Sequence, residues 1–310
     1  MLEIDSLHVT LEEAGERLDK WLKQRYPLYS RTYFQYLIDE GAVLVNGSIV
    51  KKRTPLCSAD EVEVCFLVTP EITLIQEPIP LSILFEDEHL IVINKPINMV
   101  VHPGPGHPNG TLVNALLYHC NLSVAPGDLR PGIVHRLDKD TTGVLIAAKH
   151  PIAHRKLVEL FHSRSIKKTY IAICIGNPGN RTIEAPIGRH PEKRQEMSVN
   201  HDHGKPAITI CTPLSPCIDG LTLVKLELIT GRTHQLRVHM QHQKTPILGD
   251  PVYGLPSMNQ KWNAHTQLLH AAKLEFIHPL SGELLVLEAP LPPTMQAFCH
   301  RFPTEETQVD

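Results

Sequence analysis

A charged segment, GIVHRLDKDTTGVLIAAK at residues 132–149, holds two cations and two carboxylates between two apolar, strand-like runs. If IVHRLD is extended, Arg136 and Asp138 share one face of a strand, and the turn-forming residues 139–143 place Asp138 at its end. A neighbouring cation favours the ionised form of a carboxylate. Such a group can be a nucleophile at a sugar carbon or an electron-poor ring carbon. A structural ion pair that caps a turn fits the pattern equally well.

The composition excludes several classes of protein. The 310 residues can form one large domain or a large domain with a small partner, and 42% hydrophobic residues can build a core. No apolar run reaches the ~18 residues of a membrane span, and the N-terminal sequence lacks the pattern of a secretion signal. Seven scattered cysteines without a C-x-x-C pair favour reduced thiols. We therefore expect a cytoplasmic protein without a membrane partner.

The histidines and glycines do not form a recognisable ligand motif. The densest histidine group, His234, His239 and His242, lacks the H-E-x-x-H spacing of a zinc site. GPGHPNG at residues 104–110 matches neither G-x-G-x-x-G nor the lysine-bearing phosphate loop. We predict no metal site.

The first seventy residues predict a small helix–helix–hairpin unit. Apolar residues have helical spacing at residues 16–22 and 30–41, and Asn46-Gly47 predicts a hairpin turn. The order of these elements resembles the S4 RNA-binding domain over residues 14 to about 65. The cations of this unit would contact RNA phosphates, or they are ordinary solvated charges. They are Lys20, Lys23, Arg25, Arg31, Lys51, Lys52 and Arg53.

From residue 82 onward, apolar strand-like runs dominate, and the helical stretches between them do not alternate regularly with strands. This pattern predicts an α+β fold with a mixed, mainly antiparallel sheet over residues 82–300. Before it we expect an N-terminal extension (1–13), the S4-like domain (14–68) and a proline-containing linker (69–81). A C-terminal tail (301–310) follows it.

The segment PGIVHRLDKDTTGVLIAAK resembles the signature of the RluA-type family of RNA pseudouridine synthases. Other segments similar to that family occur in the expected order between residues 82 and 292: VINKP before the signature, then KKTYIAICIG and GRTHQLRVH after it. DTTG is closer to the branch of large-subunit 23S rRNA synthases of type D. The resemblance implies the pseudouridine synthase fold and isomerisation of specific uridines in 23S ribosomal RNA, free or within a pre-50S particle. We further expect a monomer, although the sequence itself leaves the oligomeric state open.

The resemblance also assigns roles to individual residues. It implies that Asp138 is the essential carboxylate, that the Tyr170 ring packs against the target base, and that Arg237 reaches Asp138 and orients it. Arg136, next to Asp138, would fill the space that the flipped uridine leaves or hold the displaced backbone. Leu248 would line the uracil pocket, although a lone leucine is equally an ordinary core residue. We further expect the helix that carries Arg237 to be capped by Thr233.

Pseudouridine formation breaks the N1–C1′ bond of uridine, rotates the base and rejoins it through C5. Nothing is oxidised and no group is lost, so the reaction needs no cofactor and no metal. The sequence leaves open whether Asp138 attacks C1′ or removes a sugar proton.

Three alternatives remain at this stage. The same chemistry could act on tRNA or on another 23S rRNA site. Asp138 and Asp140 could serve a glycosidase-like hydrolase, although aromatic residues, which form sugar platforms, are only 5% of the chain. The protein could also be a non-catalytic RNA-binding factor in ribosome assembly.

Overall fold

The structure, a computed structural model, describes residues 3–27, 29, 31–67, 74–104, 106–120, 122, 131–193 and 196–302. The chain forms two compact units, one based on Met1–Gln76 and the other on Glu77–Cys120 and Gly132–Asp310. Residues 69–73 of the predicted linker and 303–310 of the predicted tail lie outside the described residues.

The smaller unit is a four-stranded antiparallel sheet with two short helices. The strands are β1 (Glu3–His8), β2 (Val43–Val45), β3 (Ser48–Ile49) and β4 (Glu61–Phe66), and the helices are α1 (Leu18–Arg25) and α2 (Arg31–Asp39). The strand order is β1-β4-β2-β3. The segment predicted as an N-terminal extension therefore contains a strand of this sheet.

The helices of the smaller unit bury the apolar faces that their spacing predicts. Trp21 and Leu22 on α1 pack with Phe34 and Leu37 on α2, and all four are 0% exposed. Each such side chain contributes about 1.5–3 kcal/mol relative to an exposed position. The Asn46-Gly47 hairpin is confirmed, because both residues have positive φ values, 50° and 72°, between β2 and β3.

The larger unit is built on one mixed sheet of nine strands and a separate two-stranded ribbon. The sheet contains β5 (Ile83–Glu86), β6 (Leu90–Lys95), β7 (Thr142–Ala148), β8 (Lys167–Ile175), β9 (Arg181–Glu184), β12 (Ile208–Pro213), β13 (Leu221–Leu228), β14 (Leu269–Ile277) and β15 (Leu284–Glu288), and the ribbon is β10 (Ile187–Arg189) with β11 (Met197–Val199). The order is β5-β6-β7-β14-β8-β13-β12-β9, with β15 on β14. β7 and β14 are parallel and the other described pairs are antiparallel. The predicted α+β class is confirmed.

Five helices accompany this sheet in the described part of the larger unit. They are α3 (Leu112–His119), α4 (Pro151–His162), α5 (Gln235–His242), α6 (Pro256–Lys261) and α7 (Pro293–Cys299). None of the helices in the described residues has the length and apolar character needed to span a lipid bilayer.

Strand β7 begins immediately after the charged loop and is buried along its whole length. Its second residue, Gly143, has a φ of 108°, and a Cβ there would lie 2.1 Å from the carbonyl oxygen of Ala271 on β14. Only glycine allows the loop to enter the sheet so close to its parallel neighbour. The fold thereby fixes the position at which the charged loop ends.

Two local predictions about this region are wrong. The segment IVHRLD is irregular rather than a strand, apart from a single bridge between Ile133 and Ala147. Helix α5 is capped not by Thr233 but by His234, which has a left-handed φ of 55° and no side-chain cap bond. The turn at His234 lets the chain enter the helix directly from the loop that follows β13.

Candidate active site

A cavity of about 490 Å³ opens in the larger unit beside the charged loop. Three segments supply most of its wall: the loop before β7, the end of α4 with the start of β8, and the loop between β13 and α5. Its lining includes Arg136, Asp138, Phe161, Arg164, Lys168, Tyr170, His234 and Arg237. Asp138, Tyr170 and Arg237, which are far apart in the sequence, therefore line one cavity.

Asp138 and Arg237 form a direct ion pair. Nη1 of Arg237 donates to Oδ2 of Asp138 at 3.0 Å, and the two side chains are 6% and 18% exposed. A hydrogen-bonded ion pair shielded from water is stronger than a surface pair. The guanidinium fixes one oxygen of the carboxylate, while the other oxygen, Oδ1, lies 3.9 Å from Nε2 of His234.

Asp250 holds the guanidinium in place from the other side. Its carboxylate accepts from Nε of Arg237 at 2.6 Å and from Nη2 at 2.9 Å, and its side chain is fully buried. Oδ1 of Asp250 also accepts from the backbone N–H groups of Val252 and Tyr253. Burial alone would lower the pKa of Arg237, but the hydrogen bonds and charge of Asp250, with the charge of Asp138, raise it. The sequence did not identify Asp250, although it follows the predicted Leu248 by two residues.

Tyr170 lies on β8 and is 7% exposed. Burial, with a smaller contribution from the charge of Asp138, raises the pKa of Tyr170 above its ordinary value. The phenol is therefore neutral near pH 7, and its ring forms a flat apolar surface beside the carboxylate. Aromatic faces of this kind stack on nucleobases.

The sequence pattern assigns His234 no catalytic role, yet the residue lines the cavity beside Asp138. Its Nδ1 is 2.8 Å from the hydroxyl of Tyr253, and that hydroxyl accepts from the N–H of Met197. Because the Tyr253 hydroxyl accepts from Met197, its own proton can be donated to Nδ1 of His234. In a neutral His234 ring the remaining proton is then on Nε2, the nitrogen that faces Asp138. Burial lowers the pKa of His234 against the opposing charge of Asp138.

A fully buried lysine supports the loop that carries Asp138. Nζ of Lys95 donates to the carbonyl oxygens of Pro96, Met99 and Lys139 at 2.8, 2.9 and 2.9 Å. Burial lowers the pKa of Lys95 to about 8, although the charges of Asp140 and Asp138 oppose this shift. The bond to Lys139 ties the residue next to Asp138 to the end of β6.

His135 anchors the other end of the same loop. Its Nε2 accepts from the N–H of Ile146 at 3.0 Å, and its ring stacks on Phe161 with centroids 4.6 Å apart. Burial, helped by the charge of Lys168, lowers the pKa of His135 well below its ordinary value. The neutral ring therefore takes a hydrogen bond that a neighbouring strand would otherwise accept, which explains why this segment is irregular.

The two predicted substrate contacts have different locations. Arg136 is exposed and lines the same cavity as Asp138. Leu248 is instead fully buried in a core cluster with Ile173 and Leu268, outside the described lining of that cavity. Its backbone N–H donates to Ile173 and its carbonyl accepts from Leu268, so the side chain is directed into the core. A contact between Leu248 and a bound uracil stays a prediction.

The predicted RNA-binding cations of the smaller unit fall into two groups. Nζ of Lys23 donates to the carbonyls of Pro27 and Tyr29. The other three with internal partners form ion pairs: Arg25 with Glu13 at 2.5 Å, Arg31 with Asp19 at 2.6 Å and Lys52 with Asp39 at 2.8 Å. Among the described residues, Lys20, Lys51 and Arg53 have no such partner, and all three are exposed. These three can bind phosphates without first losing an internal contact.

In the part of the chain that the structure describes, no group of three or more histidine, cysteine, aspartate or glutamate residues is arranged to hold a metal ion. Two of the three histidines of the dense group, His234 and His239, have partners within the protein. Nδ1 of His239, for example, lies 2.9 Å from the hydroxyl of Thr209 and its Nε2 lies 2.9 Å from the carbonyl of Ala185.

Comparison with known proteins identifies both parts of the chain. Residues 89–242 match the family model for RNA pseudouridylate synthase, and residues 16–62 match the S4 domain. The chain is 45% identical over 287 residues to the RNA pseudouridine synthase YlyB of Bacillus subtilis, covering 92% of this chain and 93% of that protein. It is 41% identical over 300 residues to the ribosomal large subunit pseudouridine synthase D of Escherichia coli, covering 93% and 90%.

The fold comparison agrees with the sequence comparison. The solved structure of human RNA pseudouridylate synthase domain containing 1 has a TM-score of 0.57 and 27% identity, covering 73% of this chain and 89% of that chain. The chain therefore belongs to the RNA pseudouridine synthases. It is an isomerase that acts on RNA, and the predicted family, S4 domain and enzyme class are confirmed.

Proposed function

We propose that this enzyme converts specific uridines of 23S ribosomal RNA to pseudouridine, with Asp138 as the catalytic carboxylate. The observation that carries this assignment is the ion pair between Asp138 and Arg237 at 3.0 Å, in a cavity that also contains the ring of Tyr170. The choice of 23S rRNA is supported by 41% identity to a protein named for the large ribosomal subunit. We further propose that it works in the cytoplasm, as a monomer, on free rRNA or a pre-50S particle.

The geometry suits a reaction at the sugar of a flipped nucleotide. Removing a uridine from its stack costs a few kcal/mol, less where the RNA is already unpaired. The Tyr170 ring would stack on the exposed base, and the Asp138 carboxylate would contact the sugar. Arg136, exposed at the cavity wall, would occupy the space left in the RNA.

Arg237 and Asp250 fix the carboxylate before substrate arrives. A preorganised charged group needs no reorientation during the reaction and is most effective where water is excluded. Either route for Asp138, attack at C1′ or removal of a sugar proton, needs the same placement. The neutral phenol of Tyr170 would act as a stacking surface and, with the base bound, relay the C5 proton.

The test is to map pseudouridine after incubating the purified protein with unmodified 23S rRNA and tRNA transcripts. We expect new pseudouridines in the 23S transcript with the native enzyme and none with Asp138→Asn. The same positions should lack pseudouridine in cells without the gene. Modification of tRNA alone would contradict the substrate assignment. Full function of Asp138→Asn in cells would indicate a non-catalytic assembly factor, and release of free uracil would indicate a hydrolase.

A further inference from the structure

The cavity contains a buried lysine that has no counterion. Lys168 lies on β8, two residues before Tyr170, and is 9% exposed. It lines the cavity, and its Nζ lies 5.9 Å from the centroid of the Phe161 ring. Among the described residues, no carboxylate and no hydrogen-bond acceptor contacts this ammonium group. Most of the side chain is buried, but Nζ faces the cavity without an ion-pair partner, so an anion that enters the cavity can bind it without displacing an internal contact.

The surroundings of Lys168 increase the positive charge at this wall. Arg164, which has a left-handed φ of 61° in the turn before β8, and the exposed Arg136 line the same cavity. Burial, with a smaller contribution from the charge of Arg164, lowers the pKa of Lys168. The carboxylate in the cavity wall, Asp138, already has Arg237 as its partner. This end of the cavity therefore attracts an anion from outside the protein.

The adjacent residue on the same strand, Lys167, is a lysine that does have an ion-pair partner. Lys167 has a side chain that is 77% exposed and forms an ion pair with Glu275 at 2.6 Å. Because side chains alternate along a strand, Lys167 lies on the opposite face from Lys168 and Tyr170. The two lysines differ in partner and burial, although they share a strand and a charge.

We propose that Lys168, with Arg164 beside it, binds a phosphate of the RNA strand next to the nucleotide whose base lies against Tyr170. This inference rests on the proposed function and adds a backbone contact to it. Lys168 and Tyr170 occupy the same face of β8, with Cα atoms about 6.6 Å apart. A nucleotide whose base contacts Tyr170 can thus present an adjoining phosphate to Lys168. An ammonium group binds phosphate as a compact point charge.

This assignment predicts opposite effects of one substitution on stability and on binding. Lys168→Met keeps the apolar stem that packs near Phe161 and removes the uncompensated charge. The free protein should therefore melt at a temperature equal to or above that of the native enzyme. Binding to RNA should weaken severalfold at low salt, because one phosphate contact is lost.

The experiment is a salt titration of binding to a uridine decamer, using the native enzyme, Lys168→Met and Lys168→Arg. The slope of log affinity against log salt should fall by about 0.7 for Lys168→Met, the value for one contact with a single strand. Lys168→Arg should retain the native slope. The matched control is Lys167→Met, which removes the same charge from the other face and should leave the slope unchanged.

An unchanged slope in a folded Lys168→Met variant would overturn the phosphate site, and so would an equal decrease in Lys167→Met. A large loss of thermal stability in Lys168→Met would also count against it, since that result would mean the ammonium group is structural. Pseudouridine formation in the 23S transcript is measured separately. Its absence with the native enzyme would refute the proposed function, whereas the titration alone decides the phosphate site.

Discussion

The cations of the smaller unit and those of the cavity wall in the larger unit differ in what holds them. In the smaller unit, Arg17 and Arg31 both bind Asp19, whose side chain is fully buried, and Gln35 donates to the same carboxylate at 2.7 Å. In the cavity wall, Lys168 is mostly buried and contacts the Phe161 ring, but among the described residues it has no carboxylate and no hydrogen-bond acceptor as a partner. Similar side chains therefore support the fold where a buried carboxylate holds them and remain available to a ligand where none does.

This difference shows why counting positive charges does not locate an RNA-binding surface. A cation that already has a buried carboxylate must break that contact before it can bind a phosphate, and breaking it leaves a buried charge unpaired. A cation without a partner gains from any phosphate that approaches. The distinction depends on contacts between residues far apart in the chain.

The largest expected effect is on chemistry in the larger unit. Asp138→Asn should reduce pseudouridine formation to below about one per cent of the native rate, a loss of at least ~3 kcal/mol in transition-state stabilisation. The amide keeps the shape of the carboxylate but is neither nucleophilic nor basic, so RNA affinity should be retained. Single-turnover assays with saturating RNA and a binding assay measure both. Turnover above that level would exclude a covalent or basic role for Asp138.

The buried carboxylate of the smaller unit should show a comparable effect on stability. Asp19→Ala leaves Arg17 and Arg31, which are 34% and 41% exposed, close together without a counterion, which should cost about 1.5–3 kcal/mol in the free energy of unfolding of this unit. Urea titration followed by Trp21 fluorescence, in a Trp262→Phe background, reports on this unit. The matched control is Asp39→Ala, whose partner Lys52 lies at the surface. That variant should lose at most about 1 kcal/mol, and equal losses would refute the contrast.

Lys95 represents a third kind of cation, buried but bound only to carbonyl groups. Its pKa of about 8 in the folded protein lies below the value of about 10.4 for an unfolded chain. Between these values the unfolded state binds more protons, so the free energy of unfolding should rise with pH, by up to about 3 kcal/mol. Unfolding at pH 7 to 10.5 should show this rise in the native protein but not in Lys95→Met. Parallel curves would mean that burial does not perturb Lys95.

Much of the fold follows from local patterns in the sequence. The apolar spacing of α1, α2 and α4, the runs of β6, β7 and β8, and the Asn46-Gly47 turn all predict the observed elements. These features depend on residues within a few positions of one another, where periodicity and turn chemistry act directly. The class of the fold and its two-part organisation could therefore be predicted.

The parts that could not be predicted depend on distant contacts. The loop that carries Asp138 is irregular because His135 accepts from Ile146 and Lys95 binds the carbonyl of Lys139, across 11 and 44 residues. The contact between Arg237 and Asp138 could be predicted, but the contact between Arg237 and Asp250 could not. No periodic pattern connects a helix with the turn that follows it. The sequence also gave no sign that Arg31 would be bound by a buried carboxylate.

A smaller effect on catalysis is expected when Arg237 is replaced by lysine, which keeps the positive charge but not the planar guanidinium group. The guanidinium makes three hydrogen bonds in two directions, one to Asp138 and two to Asp250. An ammonium group cannot reproduce that planar arrangement, so Arg237→Lys should reduce kcat at least tenfold, about 1.4 kcal/mol. The control is Arg181→Lys, outside the described lining of the cavity, where Nη1 donates to Oε1 of Gln243. Native activity of Arg237→Lys from pH 5 to 8 would show that charge alone orients Asp138.

The smallest expected effect concerns the free cations of the smaller unit. Deletion of residues 1–70 should weaken binding to ribosomal RNA while saturating single-turnover rates fall much less, because the candidate catalytic residues all lie in the larger unit. A triple alanine variant of Lys20, Lys51 and Arg53 should account for most of that loss. Each phosphate contact removed should lower the salt slope by about 0.7 to 0.9, giving a decrease of about 2 to 3.

The matched variant is a triple alanine substitution of Lys23, Arg25 and Lys52, which removes the same charge from residues that have internal partners. If an internal partner makes a cation unavailable to RNA phosphates, the salt slope of this variant should fall by clearly less than that of the first variant. Both proteins lose three positive charges. Filter binding to a 23S transcript between 50 and 400 mM salt, at about equal protein stability, gives both slopes. Equal decreases would mean that RNA competes successfully for the paired cations. All seven cations of the smaller unit named in the sequence analysis would then contact RNA phosphates, as the sequence predicts.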